Sequence, residues 1–223
     1  MLGHFNLQLI FDHFDLFRHG LWWTCLLSAM GWISAVSLGL TACALKLGPV
    51  RALQRSAGFY IESIRSTPLL VQLYFLYFGL PEIGIVLPEV AVGVIALGLN
   101  SGAYMAEIFR AGILKVAPGQ IEAARSSGLS AWRIQRHVVL PQAVAYAAMP
   151  LMSQTIVLVK DSSLLSLISI TELAFAAEDF YSRFFSPLEG YVTIALLYFA
   201  IYLILNSASD HWARKIKTIT GTG

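Results

Sequence analysis

The chain has 223 residues, of which 57% are hydrophobic and only 13% are charged, and its mean hydropathy is +0.69. A water-soluble domain carries about a quarter charged residues, so this composition excludes a soluble globule, a coiled coil and a disordered chain. Lipid is the expected solvent. The net charge of +2 is too small to indicate a nucleic-acid partner. The two cysteines, Cys25 and Cys43, lie far apart in one apolar run and predict no disulfide framework.

Long uncharged runs predict membrane-spanning helices, because about 20 apolar residues are needed to cross the hydrocarbon core. Runs of this kind are Leu21–Leu45, Val90–Ala106, Val138–Val159 and Gly190–Ser209. A shorter run, Ser66–Leu80, needs part of Ala57–Arg65 to span, and Ser162–Thr171 is too short and is expected to be re-entrant or interfacial. The runs lack the alternation of barrel strands. We therefore predict an all-α polytopic membrane protein with about five transmembrane helices.

Basic and acidic residues are concentrated in alternate connections between the predicted spans. The first linker, the third linker and the C-terminus (with Arg214, Lys215 and Lys217) hold most of the 15 Lys and Arg residues. The opposite connections hold acidic residues, among them Glu172. By the positive-inside rule, the N-terminus is outside and the C-terminus is cytoplasmic. The predicted organisation is an external segment 1–20, a transmembrane domain 21–209 with a cytoplasmic loop at about 110–137, and a cytoplasmic tail 210–223.

The third linker predicts two short helices separated by a break. The first begins after Pro118, the break is at Gly128, and the second restarts with Ser130 as its N-cap. Such a unit lying against the membrane could dock a soluble partner through its exposed basic residues, which are Arg125, Arg133 and Arg136. A solvated connector is an equal alternative on these grounds alone.

Motifs for catalysis and metal binding are missing from the sequence. It has no GxxxxGK[ST] phosphate-binding loop, no HExxH and no GxSxG. The five histidines are not at metal-ligand spacing. The sequence therefore favours a chain without enzymatic activity, metal or cofactor.

The third linker also carries a family signature. It reads Glu122-Ala123-Ala124, three residues, Gly128, nine residues, then Val138-Val139-Leu140-Pro141. This pattern resembles the Glu-Ala-Ala, Gly, Ile-x-Leu-Pro signature of permease subunits of binding-protein-dependent ABC importers, with Val in place of Ile. Other segments resemble the polar amino acid branch of that family, among them Arg65–Gln72, Asn100–Tyr104 and Lys160–Leu164. The resemblance covers the chain from about Leu21 to the C-terminus.

The resemblance implies a transport subunit that performs no chemistry. Its expected partners are cytoplasmic ATP-binding subunits, which hold ATP and Mg, a second identical or homologous permease, an external substrate-binding protein, an amino acid substrate and membrane lipid. The expected location is the bacterial plasma (inner) membrane. The broken helix of the third linker would couple the permease to the ATPase through Glu122, Ala123, Ala124, Gly128, Leu140 and Pro141.

Polar side chains inside apolar spans are costly and are candidates for the substrate pathway. These candidates are Asn100, Ser101, Tyr104, Gln154, Lys160, Asp161 and Ser162. Lys160 and Asp161 offer a cation and an anion for a zwitterion, and the alternative is an interfacial ion pair. Asn100 has the alternative of a hydrogen bond to a neighbouring helix. Gly98 and Gly102 supply a small-residue face for close helix packing.

Four residues near the second span are predicted to be structural or gating: Glu62, Arg65, Thr67 and Pro68. Glu62 and Arg65 share a helix face and are expected to pair, and Pro68 is expected to kink or begin a helix. In the resembling family, permeases for cationic amino acids carry Glu where this chain has Gln154, which favours neutral or acidic substrates over basic ones. The competing functions are a self-contained secondary transporter or channel, which the absence of an inverted repeat disfavours, and a membrane anchor.

Overall fold

The computed structural model describes the backbone of residues 5–220 and the side chains of residues 5–212. The predicted basic cluster of Arg214, Lys215 and Lys217 lies outside the described side chains. The described chain has no strand. Its α-helices are α1 Leu7–Asp12, α2 Phe14–Leu47, α3 Arg51–Arg65, α4 Leu69–Tyr74, α5 Leu80–Glu82, α6 Glu89–Leu114, α7 Pro118–Ser126, α8 Ala131–Ile134, α9 Leu140–Asp161, α10 Leu173–Phe184 and α11 Pro187–Thr220.

Within residues 5–220, four helical stretches are long and apolar enough to cross a membrane: Phe14–Leu47, Glu89–Leu114, Ala131–Ile168 and Pro187–Trp212. A shorter apolar helix, Leu69–Glu82, stands at the predicted second span. The all-α, multi-pass prediction is confirmed, and the count of five spans and the orientation of the termini stay predictions. The boundaries predicted at residues 20 and 209 both fall inside continuous helices, α2 and α11.

Helices α2 and α6 run parallel and approach closely along small residues. A Cβ atom added to Gly102 would lie 3.1 Å from Leu38 Cβ, and one added to Gly39 would lie 3.0 Å from Met105 Cβ. A side chain at Gly98 would collide with Ser34. The predicted small-residue face is therefore a close helix–helix contact, as expected where packing replaces the hydrophobic drive between helices in lipid.

Two π-helical turns, Phe75–Gly79 and Gln135–Val139, come just before Leu80-Pro81 and Leu140-Pro141. In each turn the N–H of the residue before proline donates to the carbonyl five residues earlier. Proline lacks an N–H and its ring displaces the carbonyl four residues before it. The wider turn accommodates that displacement without ending the helix.

The apolar run Ser162–Thr171 does not lie flat at an interface. Its first part, Ser162–Ile168, is a 3₁₀ helix that continues α9 and ends at Ser169, whose φ is 65°. Leu165 and Ile168 are buried in the central apolar cluster. The run therefore packs against apolar partners inside the protein instead of lying flat on its surface, and a re-entrant course stays a prediction.

Candidate functional site

A polar cavity opens beside the break between α3 and α4. Its volume is about 580 Å³, and its wall is formed by the break, α6 and α9. We call it the central cavity. It is lined by Arg65, Ser66, Thr67, Pro68, Leu69, Asn100, Tyr104, Gln154, Val157 and Asp161.

The central cavity brings together four of the seven predicted pathway residues, namely Asn100, Tyr104, Gln154 and Asp161. Ser101 lies behind this wall, where its buried hydroxyl accepts a hydrogen bond of 3.3 Å from Gln154 Nε2. Segments far apart in the chain thus meet at one surface.

The other two pathway candidates do not line the central cavity. Lys160 Nζ lies 5.8 Å from the centre of the Tyr202 ring on α11. Ser162 is fully buried, and its hydroxyl donates to the carbonyl of Val159 at 2.8 Å. Consecutive residues of a helix point in directions about 100° apart, so Asp161 faces the cavity and Lys160 does not. The central cavity is therefore lined by the predicted anion, Asp161, and not by the predicted cation, and the pathway role of Lys160 stays a prediction.

Arg65 is the cation of the central cavity. Its Cζ lies 5.0 Å from the centre of the Tyr104 ring, and the Tyr104 hydroxyl lies 3.5 Å from the Arg65 carbonyl. The described ion pairs do not include Glu62 with Arg65, so the predicted pairing is wrong. Arg65 is the last residue of α3, where the side chain can turn toward α6.

Thr67 and Pro68 form the break that positions Arg65. The Thr67 hydroxyl donates to the carbonyl of Ser63 at 2.8 Å. Pro68, with φ −59° and ψ 140°, is the N-cap of α4, which agrees with the prediction that it begins a helix. Proline disfavours the helical conformation in the residue before it, and α3 accordingly ends at Arg65.

Gln72 is a further site residue, and it was not predicted from the sequence. Its Nε2 donates to the carbonyls of Ile64 and Thr67, at 2.9 Å each, and its Oε1 accepts from Asn100 Nδ2 at 3.3 Å. The amide thereby bridges two backbone carbonyls at the break and ties the break to α6. A polar residue inside the apolar run was the available signal. Asn100 both lines the cavity and makes the interhelical hydrogen bond considered as its alternative.

A second cavity of about 440 Å³ adjoins the central one. We call it the loop-side cavity, because it extends toward the third linker. It is lined by Arg65, Tyr104, Glu107, Ile108, Ala111, Gly112, Lys115, Tyr146 and Pro150. Arg65 and Tyr104 border both cavities.

Glu107 is held by two cations beside the loop-side cavity. Lys46 Nζ lies 2.8 Å from its Oε1, and an Arg110 terminal nitrogen lies 2.7 Å from its Oε2. Lys46 belongs to α2, so this ion pair fixes the end of α2 against α6. This ion pair was not predicted from the sequence.

Glu172 was assigned to an external charged connection but is fully buried. Its Oε1 accepts from the N–H of Phe175 at 3.0 Å, which caps α10, and its Oε2 accepts from the Tyr198 hydroxyl at 2.8 Å. Burial raises the pKa of this carboxyl above its ordinary value. The neighbouring N–H of Leu173 donates to Thr24 Oγ1 at 3.1 Å. These bonds join α10 to α2 and α11.

The third linker has the predicted helix–break–helix form. α7 begins at Pro118 and ends at Ser126, Gly128 has φ +77°, and Ser130 Oγ accepts from the N–H of Arg133 at 3.5 Å. A positive φ is readily adopted only by glycine. The three predicted arginines are exposed: Arg125, Arg133 and Arg136.

The six predicted coupling residues divide between the surface and the interior of this linker. Glu122, Ala123 and Gly128 are exposed. Ala124 is buried in an apolar cluster with Val116, Ile134, Val139 and Ala143. Leu140, 41% exposed, and Pro141 follow the second π-helical turn. The linker is therefore a small packed unit with a charged outer surface.

Comparisons with known proteins identify the class. Residues 35–218 match the family described as binding-protein-dependent transport system inner membrane component, and the chain belongs to this family. It is a membrane subunit of an ABC importer and not an enzyme. ATP hydrolysis takes place in a separate ATPase subunit, and an external binding protein is the other partner of this class.

Individual relatives cover almost the whole chain. The probable amino-acid ABC transporter permease protein YckA of Bacillus subtilis is 38% identical, over 88% of this chain and 87% of its own length. The probable glutamine ABC transporter permease protein GlnM of the same organism is 32% identical, over 95% and 98%. A crystal structure of an amino acid ABC transporter with histidines is 36% identical, with a TM-score of 0.91, and the match covers 96% of this chain and 100% of that chain.

Proposed function

We propose that this chain forms half of the translocation path of an importer for polar amino acids in the bacterial inner membrane. The names of similar permeases support an amino acid substrate, and so does the central cavity. Its volume of about 580 Å³ falls within the range of about 300–1,000 Å³ that is usual for small-molecule sites.

The main observation that supports an amino acid substrate is the pair of opposite charges on the cavity wall. Arg65 and Asp161 are the charged groups that line the central cavity. An amino acid has a carboxylate and an ammonium group, so Arg65 would bind the first and Asp161 the second through charge-assisted hydrogen bonds. The amides of Asn100 and Gln154 would orient the remainder. Arg65 here has the role that was predicted for Lys160, that of the cation for the substrate carboxylate.

Gln154 favours neutral or acidic substrates over basic ones, because its amide adds no negative charge to the wall. Replacing Gln154 by Glu should shift the preference toward arginine and away from glutamine by about tenfold, which corresponds to roughly 1.4 kcal/mol. Uptake of the two labelled amino acids by the same reconstituted complex measures the shift. An unchanged ratio would contradict this part of the proposal.

The complete transporter contains a second permease, identical or homologous, which closes the open side of the central cavity. The N-terminus lies outside, and the third linker and the C-terminus lie in the cytoplasm. Glu122, Ala123 and Gly128 would then contact the ATPase from the exposed side of the linker. Ala124, Leu140 and Pro141 would support that surface and connect it to α9.

Reconstitution into vesicles tests the function as a whole. Uptake of labelled glutamine should require this chain, its ATPase, ATP and the external binding protein together. Transport by this chain alone would instead indicate a self-contained transporter. A complete assembly that hydrolyses ATP but takes up no amino acid would overturn the proposed substrate class.

A further inference from the structure

The two cavities follow one face of α6. Asn100, Tyr104, Ala111 and Lys115 follow one another at intervals of four, seven and four residues along this helix, and residues at these intervals share a helix face. The first two line the central cavity and the last two line the loop-side cavity. At 1.5 Å per residue, this face extends for about 22 Å. That length exceeds a single amino acid site.

Helix α9 supplies the opposite wall with the same periodicity. The residues on this wall are Tyr146, Pro150, Gln154, Val157 and Asp161. The helices are antiparallel here, because Gln154 bonds Ser101 while Ala143 lies against Gly112. The two cavities are thus successive parts of one furrow between α6 and α9.

Arg65 and Tyr104 form the boundary between the two parts, since both side chains border both cavities. The guanidinium carbon lies 5.0 Å from the ring centre. A cation–π contact at a partly exposed site contributes only about 0.5–1 kcal/mol. A substrate carboxylate, which forms a stronger charge-assisted hydrogen bond with Arg65, can therefore draw the guanidinium off the ring.

The loop-side cavity has a cationic character. Its one lining carboxylate, Glu107, is already paired with Lys46 and Arg110. Lys115 Nζ lies 4.8 Å from the centre of the Tyr146 ring. Lys115 is therefore available to a carboxylate that has left Arg65.

We propose that the loop-side cavity is a second binding station for the transported amino acid, entered past the Arg65–Tyr104 pair, with Lys115 as the partner of the substrate carboxylate. This inference rests on the proposed function. It assigns Tyr104 the role of a barrier between two stations in addition to a place in the wall of the first.

Filling the second station tests the inference. Ala111 is exposed and lines the loop-side cavity but not the central cavity. Ala111→Trp should therefore block the loop-side cavity and reduce ATP-driven glutamine uptake at least tenfold. The affinity of the central cavity for labelled glutamine, measured on the purified complex, should stay within twofold of wild type. Leu114→Trp is the matched control, since Leu114 is 60% exposed and lines neither cavity, and its uptake should change less than twofold.

Opening the barrier tests the role of Tyr104. Vesicles containing the complex are loaded with labelled glutamine, and efflux is followed without ATP. Tyr104→Ala should raise the efflux at least tenfold above that of Tyr104→Phe, which keeps the ring under Arg65. Equal efflux from both variants would overturn the barrier.

The outcomes separate the two proposals. Normal wild-type uptake together with normal uptake by Ala111→Trp would overturn the second station alone. Equal losses of binding and uptake in Ala111→Trp would also overturn it, because the substitution would then act on the first site. Failure of the complete wild-type assembly to import any amino acid would overturn the proposed function and this inference together.

Discussion

The central cavity and the third linker are built in opposite ways. The cavity places polar groups, Arg65 and Asp161, within a largely apolar helical body. The linker places an apolar cluster around Ala124 beneath a surface that exposes Glu122 and Arg125. The cavity thus has polar groups inside and apolar groups outside. The linker has the opposite arrangement, which is that of a small soluble protein. A polar interior suits a solute that must leave water, and a polar exterior suits a soluble partner.

The two regions also differ in how the chain assembles them. The cavity depends on contacts between residues that are far apart in sequence, such as Gln72 with Asn100 and Ser101 with Gln154. The linker depends on local conformations at Pro118, Gly128 and Ser130. Substitutions in the cavity should therefore change substrate transfer, and substitutions in the linker should change coupling to ATP.

Asp161→Ala should reduce glutamine uptake about 100-fold, because a charge-assisted hydrogen bond to a substrate ammonium contributes roughly 1.5–3 kcal/mol. Lys160→Ala is the adjacent control and should cost at most threefold, since Lys160 contacts Tyr202 instead of the cavity. Initial rates in reconstituted vesicles measure both. A larger loss in Lys160→Ala than in Asp161→Ala would contradict this site, because the substrate would then contact the face of α9 that carries Lys160.

Glu122→Arg should lower ATP-driven uptake about tenfold and leave glutamine binding at the central cavity unchanged. The substitution reverses a charge at the surface proposed to face the ATPase, and charge reversal in an interface opposes association. Gln120→Arg is a control on the same short helix, at an exposed position of another face. Parallel assays of uptake, ATP hydrolysis and binding measure the effects. Equal losses in the two variants would indicate general damage to the linker.

Gly128→Ala should have the smallest effect, a destabilisation of the linker by roughly 1–2 kcal/mol, because an L-residue disfavours the left-handed conformation. The strain comes from the backbone alone, since an added Cβ meets nothing within 4 Å at this φ of +77°. The coupling ratio of transport to ATP hydrolysis should fall about threefold. Gly119→Ala also has open space, without a positive φ, and should leave that ratio unchanged. A normal ratio in Gly128→Ala would show that the break tolerates another geometry.

The sequence predicted the linker better than the cavity, for a physical reason. Proline at a helix start, glycine in a left-handed turn and serine at an N-cap act within a few residues, so Pro118, Gly128 and Ser130 were identified correctly. By contrast, the direction of the Lys160 side chain and the contact partner of Arg65 depend on which helices pack against α9 and α3. Glu172 shows the same limit, because a charge in a connection is expected in water unless Tyr198 and the start of α10 are known to surround it.

By itself, the sequence determined the solvent, the helical class and the family, because apolar run length, charge distribution and the spaced motif of the third linker are all linear properties of the chain. The tertiary structure alone decided which polar groups meet. It directed Asp161 and Arg65 into one cavity, turned Lys160 away, and placed Arg65 and Tyr104 between two parts of one furrow. Those outcomes depend on how α3, α6 and α9 pack, and helix packing is set by side-chain contacts between distant segments.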